Sequence, residues 1–214
     1  MPSPLLVILD VDSTLIENEV IELLAGHAGV RDQVAAITER AMRGELDFSS
    51  SLKERVATLA GLPSSIFDSV LSEVTVTPGV PDLIRAVKDF GGFIGVVSGG
   101  FHEILDPLAE SLGLDFWRAN RLEVIDGHLT GRVLGDIVDA DMKAIMLRKW
   151  ADDTETPMDR TVAIGDGAND LKMMAAANIS IAFRAKPIVR EKATYAIDVN
   201  DMRAVLPLIG LKNP

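Results

Sequence analysis

The sequence contains no cysteine among its 214 residues. This absence excludes disulfides, thiol catalysis and cysteine-ligated zinc, and it is compatible with a reducing compartment. The chain also lacks a long apolar run near its start, because the run from Leu5 to Leu9 ends at Asp10 and no basic residue precedes it. Such a run is too short for a signal peptide or a membrane span, so we expect a soluble cytoplasmic protein.

Cationic residues are scarce relative to acids. Lysine and arginine number 21 against 32 aspartates and glutamates, which leaves a net charge of −11. This sign argues against nucleic acid or an anionic membrane as the partner, so we expect a small-molecule ligand held by local charges. A 23.0 kDa chain allows one core with a smaller appendage, and the composition leaves open whether it is a monomer or a homodimer.

The first part of the chain predicts one strand followed by helices. The apolar run from Leu5 to Leu9 is typical of a strand buried on both faces. Residues 15–74 instead show helical spacing and no strand pattern, with a helix through Leu52 and Val56 that Ser49 to Ser51 would cap, and a last helix through Ile66 and Val70.

The second part alternates between strand and helix patterns. We expect strands at residues 93–97, 161–164 and 179–182, a hairpin at residues 122–133, and helices at residues 83–87, 101–112, 140–150, 169–177 and 202–208. This alternation predicts a doubly wound (Rossmann-like) parallel α/β sheet. Residues 15–74 exceed what a crossover needs, so they should form an inserted helical cap beside a core of residues 1–14 and 75–214.

Four polar clusters fall at strand ends or near the start of a helix. They are Asp10 with Asp12, the turn Ser98-Gly99-Gly100, Lys143, and Gly165-Asp166-Gly167-Ala168-Asn169-Asp170. The carboxyl ends of parallel strands share one edge of the sheet, so these clusters should converge.

Each cluster taken alone has a simpler interpretation. An Asp-x-Asp pair also occurs in turns and calcium loops, but Leu15 and Ile21 occupy positions where an EF-hand needs glycine and glutamate. The serine-hydrolase elbow G-x-S-x-G needs a glycine at the position of Val96. The dinucleotide-binding fingerprint G-x-G-x-x-G needs a glycine at the position of Asp170. Lys143 alone would more often be a solvated helix residue. It is the combination of clusters that indicates chemistry.

Phosphoryl transfer through an aspartate requires this combination. A carboxylate at a strand end can attack phosphorus and form an acyl phosphate. Several acids can share that edge if Mg²⁺ lies among them, and glycine-rich turns and a lysine can stabilise the phosphate. We therefore expect a metal ion to balance the negative charge of the two acids after the first strand, Asp10 and Asp12.

The same residues resemble the motifs of the haloacid dehalogenase superfamily of phosphatases, and within it the enzymes that hydrolyse phosphoserine. The similarity extends over nearly the whole chain, including residues 17–19, 41–44, 51–56 and 119–122. Val11 departs from the phenylalanine of many relatives without putting a chemical role in doubt. Some relatives carry a preceding regulatory domain, which we do not expect here because the chain starts at the first strand.

The resemblance implies a Mg²⁺-dependent phosphatase in serine biosynthesis. Asp10 would be the nucleophile and Asp12 the general acid and then base. Mg²⁺ would be held by the side chains of Asp10 and Asp166 and the backbone carbonyl of Asp12, with Asp170 in the outer shell. The resemblance assigns phosphate binding to Ser98, Gly99, Lys143 and Asn169, and binding of the serine ammonium and carboxylate to Glu19 and Arg55.

Two alternatives remain open at this point. A phosphotransferase would use the same aspartyl phosphate and pass the group to another alcohol such as homoserine. A non-catalytic phospho-acceptor module would need Asp10 but has no use for Asp12, Glu19 or Arg55, which therefore count against it.

Overall fold

The computed structural model describes residues 4–43 and 45–212, so Gly44, within the segment 41–44, and the ends of the predicted core lie outside it. The strands of the described chain are β1 (Leu6–Leu9), β2 (Phe93–Phe101), β3 (Phe116–Ile125), β4 (His128–Leu134), β5 (Thr161–Gly165), β6 (Ile179–Phe183) and β7 (Tyr195–Ile197). Its α-helices are α1 (Val20–Ala28), α2 (Arg31–Met42), α3 (Phe48–Ala57), α4 (Ile66–Glu73), α5 (Val80–Asp89), α6 (His102–Leu112), α7 (Ala140–Asp153), α8 (Leu171–Ala176) and α9 (Pro187–Arg190).

The strands form one sheet in the order β4-β3-β2-β1-β5-β6-β7. All neighbours are parallel except β3 and β4, which form the predicted antiparallel hairpin. The central strand β1 pairs with β2 on one side and β5 on the other, so Ile8 lies between Gly95 and Ala163. The predicted doubly wound sheet is therefore confirmed.

Strand β1 is apolar throughout because both of its faces are covered. Val7 and Leu9 belong to a core shared with α5 and α6, whereas Leu6 and Ile8 belong to one shared with α7 and α8. All four side chains are fully buried, and each contributes about 1.5–3 kcal/mol by leaving water. This packing holds the end of β1, where Asp10 follows, in a fixed position.

Residues 15–74, the predicted helical cap, contribute α1 to α4 between β1 and α5. Its two connections pair with each other, since the Glu17 N–H donates to the Thr75 carbonyl and the Thr77 N–H to the Leu15 carbonyl, both at 2.9 Å. A second attachment joins the cap to the hairpin, where the Gly61 N–H donates to Leu129 and the Leu129 N–H to Leu62, both at 2.8 Å. The cap is thus held against the core at two places.

Several predicted details of the helices are wrong. Helix α3 begins at Phe48 and is capped by Asp47, whose Oδ1 accepts the Ser50 N–H at 2.8 Å, so Ser49 to Ser51 lie inside the helix. The segment Met202–Ile209 is a 3₁₀-helix containing Pro207, which cannot donate an α-helical hydrogen bond. The predicted helix at residues 169–177 begins as a 3₁₀ turn and becomes α8 only at Leu171.

Two short elements, α9 and β7, were not predicted. Strand β7 has three residues, two of them exposed, so it carries no apolar alternation that a pattern could detect. Within the described residues, no helix combines the length and the apolar composition needed to cross a bilayer.

Candidate active site

Asp10 directly follows the last residue of β1 and lies in the site. Its backbone N–H donates to the Ile164 carbonyl of β5 at 2.9 Å, and its Oδ1 accepts the Val11 N–H at 2.7 Å. The chain then turns sharply at Ser13, which has a positive φ of 56°, and closes with a hydrogen bond from the Ile16 N–H to the Val11 carbonyl at 3.0 Å. The turn directs Asp10 and Asp12 into one cavity.

Lys143 lies beneath this aspartate. Its Nζ is 2.7 Å from Asp10 Oδ1 and 2.7 Å from Asp170 Oδ1, and its side chain is completely buried. The two carboxylates outweigh the effect of burial and raise the pKa of Lys143 above its ordinary value, so the side chain is a cation. The interpretation of Lys143 as a solvated helix residue is therefore wrong.

Three carboxylates converge at this edge of the sheet. One oxygen from each of Asp10, Asp166 and Asp170 lies within 4.8 Å of the other two. Burial, followed by the charge of Asp170, raises the pKa of Asp166 to about 6 and the pKa of Asp10 well above its ordinary value, although Lys143 opposes the second shift. Three carboxylates facing the single cation of Lys143 leave an excess of negative charge on hard oxygen donors, which fit a divalent cation, so these residues could hold one.

Asp12 is fixed by two hydrogen bonds. Its Oδ1 accepts the N–H of Val20 at the start of α1, at 2.8 Å, and its Oδ2 accepts the Ser98 hydroxyl at 3.1 Å. Burial raises the pKa of Asp12, while the two hydrogen bonds lower it. A carboxyl group in this setting can exchange a proton with a bound molecule.

The predicted turn at Ser98-Gly99-Gly100 is instead a bulge inside β2. Val97 lies opposite Arg118 and Phe101 opposite Asn120, so β2 advances four residues while β3 advances two. The extra residues bend away from the ladder, and Gly99 and Gly100 line the cavity. The sequence did not distinguish a bulge from a turn because adjacent glycines suit both.

The helical cap contributes charged groups to the opposite wall. Glu19 accepts the Ser13 hydroxyl at 2.7 Å, and loss of hydration in the cavity mouth together with the charge of Asp12 raises its pKa to about 7. No carboxylate of the described chain lies within 4.0 Å of the Arg55 guanidinium, because Glu54 pairs with Arg40 at 2.7 Å. Burial lowers the pKa of Arg55. Arg55 therefore retains its capacity to bind an anion.

The walls enclose a cavity of about 140 Å³. Among the predicted site residues, the cavity is lined by Asp10, Asp12, Glu19, Arg55, Gly99, Asp166 and Asn169. Ser98, Lys143 and Asp170 are buried behind this wall and contact it through Asp10 and Asp12. The structure thus brings every predicted site residue to one region.

Sequence reasoning missed part of the lining. Phe48 reaches across from α3, and its ring lies so close to Gly99 that a Cβ there would come within 2.7 Å of it. Lys186 also lines the cavity, and its backbone N–H donates to the Asp166 carbonyl at 3.1 Å. Lys186 follows the end of β6, so the strand-end argument applied to Asp10 could have found it.

Fold and site together define a class of hydrolase that has an aspartate at the end of the central parallel strand and a helical cap over it. The model of the haloacid dehalogenase-like hydrolases matches residues 7–175, and the chain belongs to this family.

Comparison with individual relatives is more specific than the match to the family. The chain is 57% identical over 206 residues to a phosphoserine phosphatase of Streptomyces coelicolor, a match that covers 96% of this chain and 50% of the relative. The chain thus spans about half the length of that protein. It is 52% identical to a phosphoserine phosphatase of Streptococcus thermophilus, with 95% of each chain covered.

A solved structure is also similar to this chain over nearly its whole length. It is described as a phospho-aspartyl intermediate analogue of phosphoserine phosphatase, and it is 42% identical to this chain. The TM-score is 0.91, with 96% of this chain and 99% of the other covered. The predicted family and fold are therefore confirmed.

Proposed function

We propose that this chain is a phosphoserine phosphatase that hydrolyses O-phospho-L-serine to L-serine and phosphate through an aspartyl phosphate on Asp10. The observation that carries the proposal is one small cavity with a buried Asp10–Lys143 pair on one wall and Glu19 and Arg55 on the other. The first wall suits a phosphoryl group, and the second suits an amino acid's ammonium and carboxylate. The named relatives support the same substrate.

The first chemical step transfers the phosphoryl group to the protein. An Asp10 oxygen forms a bond to phosphorus while the bond from phosphorus to the serine oxygen breaks. Asp12, whose raised pKa favours the protonated form, donates its proton to the departing serine oxygen. Lys143 offsets negative charge on Asp10 and the transferred group, which Gly99 and Asn169 would also contact, while the Ser98 hydroxyl is engaged by Asp12.

The second step restores Asp10. A water molecule attacks the phosphorus of the acyl phosphate and gives its proton to the Asp12 carboxylate, and the bond between Asp10 and phosphorus breaks. Inorganic phosphate leaves, and Asp12 is protonated again for the next cycle. The hydrogen bonds from Val20 and Ser98 keep the Asp12 carboxyl group in position for both proton transfers.

We propose Mg²⁺ as the metal. Asp10, Asp166 and the backbone carbonyl of Asp12 would bind it, and Asp170, which is engaged with Lys143 and the Gly167 N–H, would lie in its outer shell. When bound, Mg²⁺ would neutralise charge on the acids and on the phosphoryl group. We also propose the division into a core (residues 1–14 and 75–214) and the helical cap, and a cytoplasmic location, with which the cysteine-free sequence is compatible.

The test is phosphate release from phosphoserine by the purified chain, with Mg²⁺ and with EDTA. We expect release with Mg²⁺ and its loss in EDTA. A parallel reaction containing homoserine separates hydrolysis from transfer, because a phosphotransferase would form phosphohomoserine at the expense of free phosphate. Absence of phosphate release from phosphoserine with Mg²⁺ would contradict the proposed function.

A further inference from the structure

Asn120 lies behind the bulge of β2 and has no role in the chemistry described above. Its side chain is 1% exposed, and both ends of its amide are used. Nδ2 donates to the Gly99 carbonyl at 2.8 Å, and Oδ1 accepts the Val138 N–H at 2.8 Å. A carbonyl can only accept and an N–H can only donate, so these partners determine the orientation of the amide.

The contact with Gly99 immobilises a peptide group at the cavity wall. The carbonyl of the Gly99–Gly100 peptide is held by Asn120, and its N–H donates to Ser98 Oγ at 2.7 Å. Because Ser98 Oγ accepts this hydrogen bond, its own proton is directed to Asp12 Oδ2, at 3.1 Å. A continuous chain of hydrogen bonds therefore runs from Asn120 to the carboxyl group of Asp12.

The bulge makes this support necessary. Two glycines without side chains follow Ser98 where the register of β2 against β3 is interrupted, so regular strand pairing does not hold this peptide. Asn120 is the residue of β3 that lies opposite Phe101, at the point where pairing resumes. Its other hydrogen bond reaches Val138, which precedes α7 and its Lys143.

We propose that Asn120 is a positioning residue that orients Asp12 through the Gly99–Gly100 peptide and Ser98. This assignment rests on the proposed function, in which Asp12 is the general acid and base. Asn120 does not contact the substrate. Its contribution is to keep the Ser98 hydroxyl, and therefore the Asp12 carboxyl, in one orientation while the proton is transferred.

A double-mutant cycle between Asn120 and Asp12 tests the proposal. Asn120→Asp keeps an acceptor for Val138 but places an oxygen against the Gly99 carbonyl, so the link to the peptide is lost. In Asp12→Asn, the Val20 N–H still requires the amide oxygen, which turns the NH₂ group toward Ser98 and removes the acceptor there. We expect Asn120→Asp to lower kcat/KM for phosphoserine about 10- to 100-fold alone, but less than about 3-fold when Asp12→Asn is present.

Controls separate positioning from loss of fold. Asn120→Ala repeats the cycle without introducing a buried charge. Thr161→Val matches Asn120 in burial and in hydrogen bonding, since Thr161 is fully buried, donates to the Met158 carbonyl at 2.7 Å and accepts the Asn178 N–H at 3.1 Å. It lies at the opposite end of β5 from the site, so any loss it causes should be equal with and without Asp12→Asn.

The outcomes distinguish this inference from the proposed function. Equal fold losses for both Asn120 variants in the two Asp12 backgrounds would overturn the positioning role and leave the phosphatase assignment intact. An unchanged kcat/KM for both Asn120 variants would overturn it as well. Failure of the unsubstituted chain to release phosphate would instead refute the proposed function, and this inference with it.

Discussion

The two walls of the cavity differ in how far their charged groups are already paired. On the core wall, Lys143 lies 2.7 Å from both Asp10 and Asp170, and Asp12 accepts two hydrogen bonds. On the cap wall, Glu19 is held by the Ser13 hydroxyl, and Arg55 donates only a weak 3.3 Å hydrogen bond to the Ser51 carbonyl of its own helix. The core wall is preorganised, whereas the cap wall presents charges that a ligand can pair.

This difference follows from how each wall is built. Asp10, Lys143 and Asp170 arise from the end of β1, the first turn of α7 and the segment after β5, all of which the buried sheet holds in place. Glu19 and Arg55 come from the start of α1 and the last turn of α3 in the helical cap. The difference suits the proposed function, because groups that act on phosphorus need fixed geometry, while groups that select a substrate can gain their pairing on binding.

The largest effect should come from the core wall. Asp10→Asn should reduce phosphate release by about 10⁴-fold or more, because an amide cannot serve as the nucleophile. Rapid quenching and mass spectrometry of the unsubstituted protein should locate the trapped phosphate on Asp10. Asp126→Asn is the control, since Asp126 is exposed at the hairpin turn with a φ of 50° that asparagine tolerates. Phosphate found on Ser98 would contradict the assignment.

A smaller effect is expected for Asp12, the proposed proton-transfer group of the same wall. Asp12→Asn should lower kcat by roughly 10²- to 10⁴-fold, the range usual for a general acid and base. The nucleophile, Lys143 and the cap wall remain, so the KM for phosphoserine should change little. Steady-state kinetics measure both constants. A kcat equal to that of the unsubstituted chain would exclude Asp12 as the acid and base.

The core wall was also the more predictable of the two regions. An apolar run that ends in Asp10 and a glycine-rich segment after Ile164 mark strand ends, and parallel strand ends must meet at one edge. The bulge at Ser98 to Gly100 and the role of Asn120 depend on the register of β2 against β3, which joins residues far apart in sequence. Local patterns carry no information about such register.

For the cap wall, the charged residues could be predicted from the sequence, but the ion pairs that they form could not. Arg55 lies one residue from Glu54, so the sequence allowed an ion pair between them. Only the packing of α2 against α3, which brings Arg40 to Glu54, leaves Arg55 without a carboxylate among the described residues. Resemblance, rather than spacing, singled out Glu19 and Arg55.

A substitution on the cap wall should change selectivity more than chemistry. Arg55→Ala should lower kcat/KM for phosphoserine about 10²- to 10³-fold, because the substrate carboxylate would lose its charged partner, but should change phosphoethanolamine hydrolysis little. Lys53→Ala is the matched control, since Lys53 is an exposed cation on the same helix and does not line the cavity. Equal losses with both substrates would show that Arg55 contacts phosphate or is structural.

A substitution of Glu19, the other charged residue of the cap wall, should reverse the dependence of the activity loss on the substrate. Glu19→Gln should weaken both phosphoserine and phosphoethanolamine, which carry an ammonium group, and spare a phosphate ester without an amine. Kinetics with the three substrates therefore assign each cap residue to one end of the amino acid. A loss confined to phosphoserine would contradict the assignment of Glu19 to the ammonium.

The smallest expected effect concerns the stability of the unliganded protein, and it comes from Glu19 as well. The folded state raises its pKa to about 7 from 4.5, so Glu19 favours folding when it is neutral. Its contribution is complete below about pH 4.5 and is lost as the pH rises through about 7.

Glutamine imitates the neutral form of Glu19, so Glu19→Gln should match the unsubstituted chain in stability near pH 4.5 and be more stable near pH 8. The Glu19 side chain remains partly open to solvent, and screening reduces the expected gain to about 1 kcal/mol or less. Thermal unfolding in EDTA should therefore show a Tm higher by at most about 2–4 °C at pH 8. Glu110→Gln, an exposed change on α6 with no ion pair among the described residues, should show no such difference between the two pH values. A Tm gain for Glu19→Gln that is equal at both pH values would show that charge in the cavity mouth is not its cause.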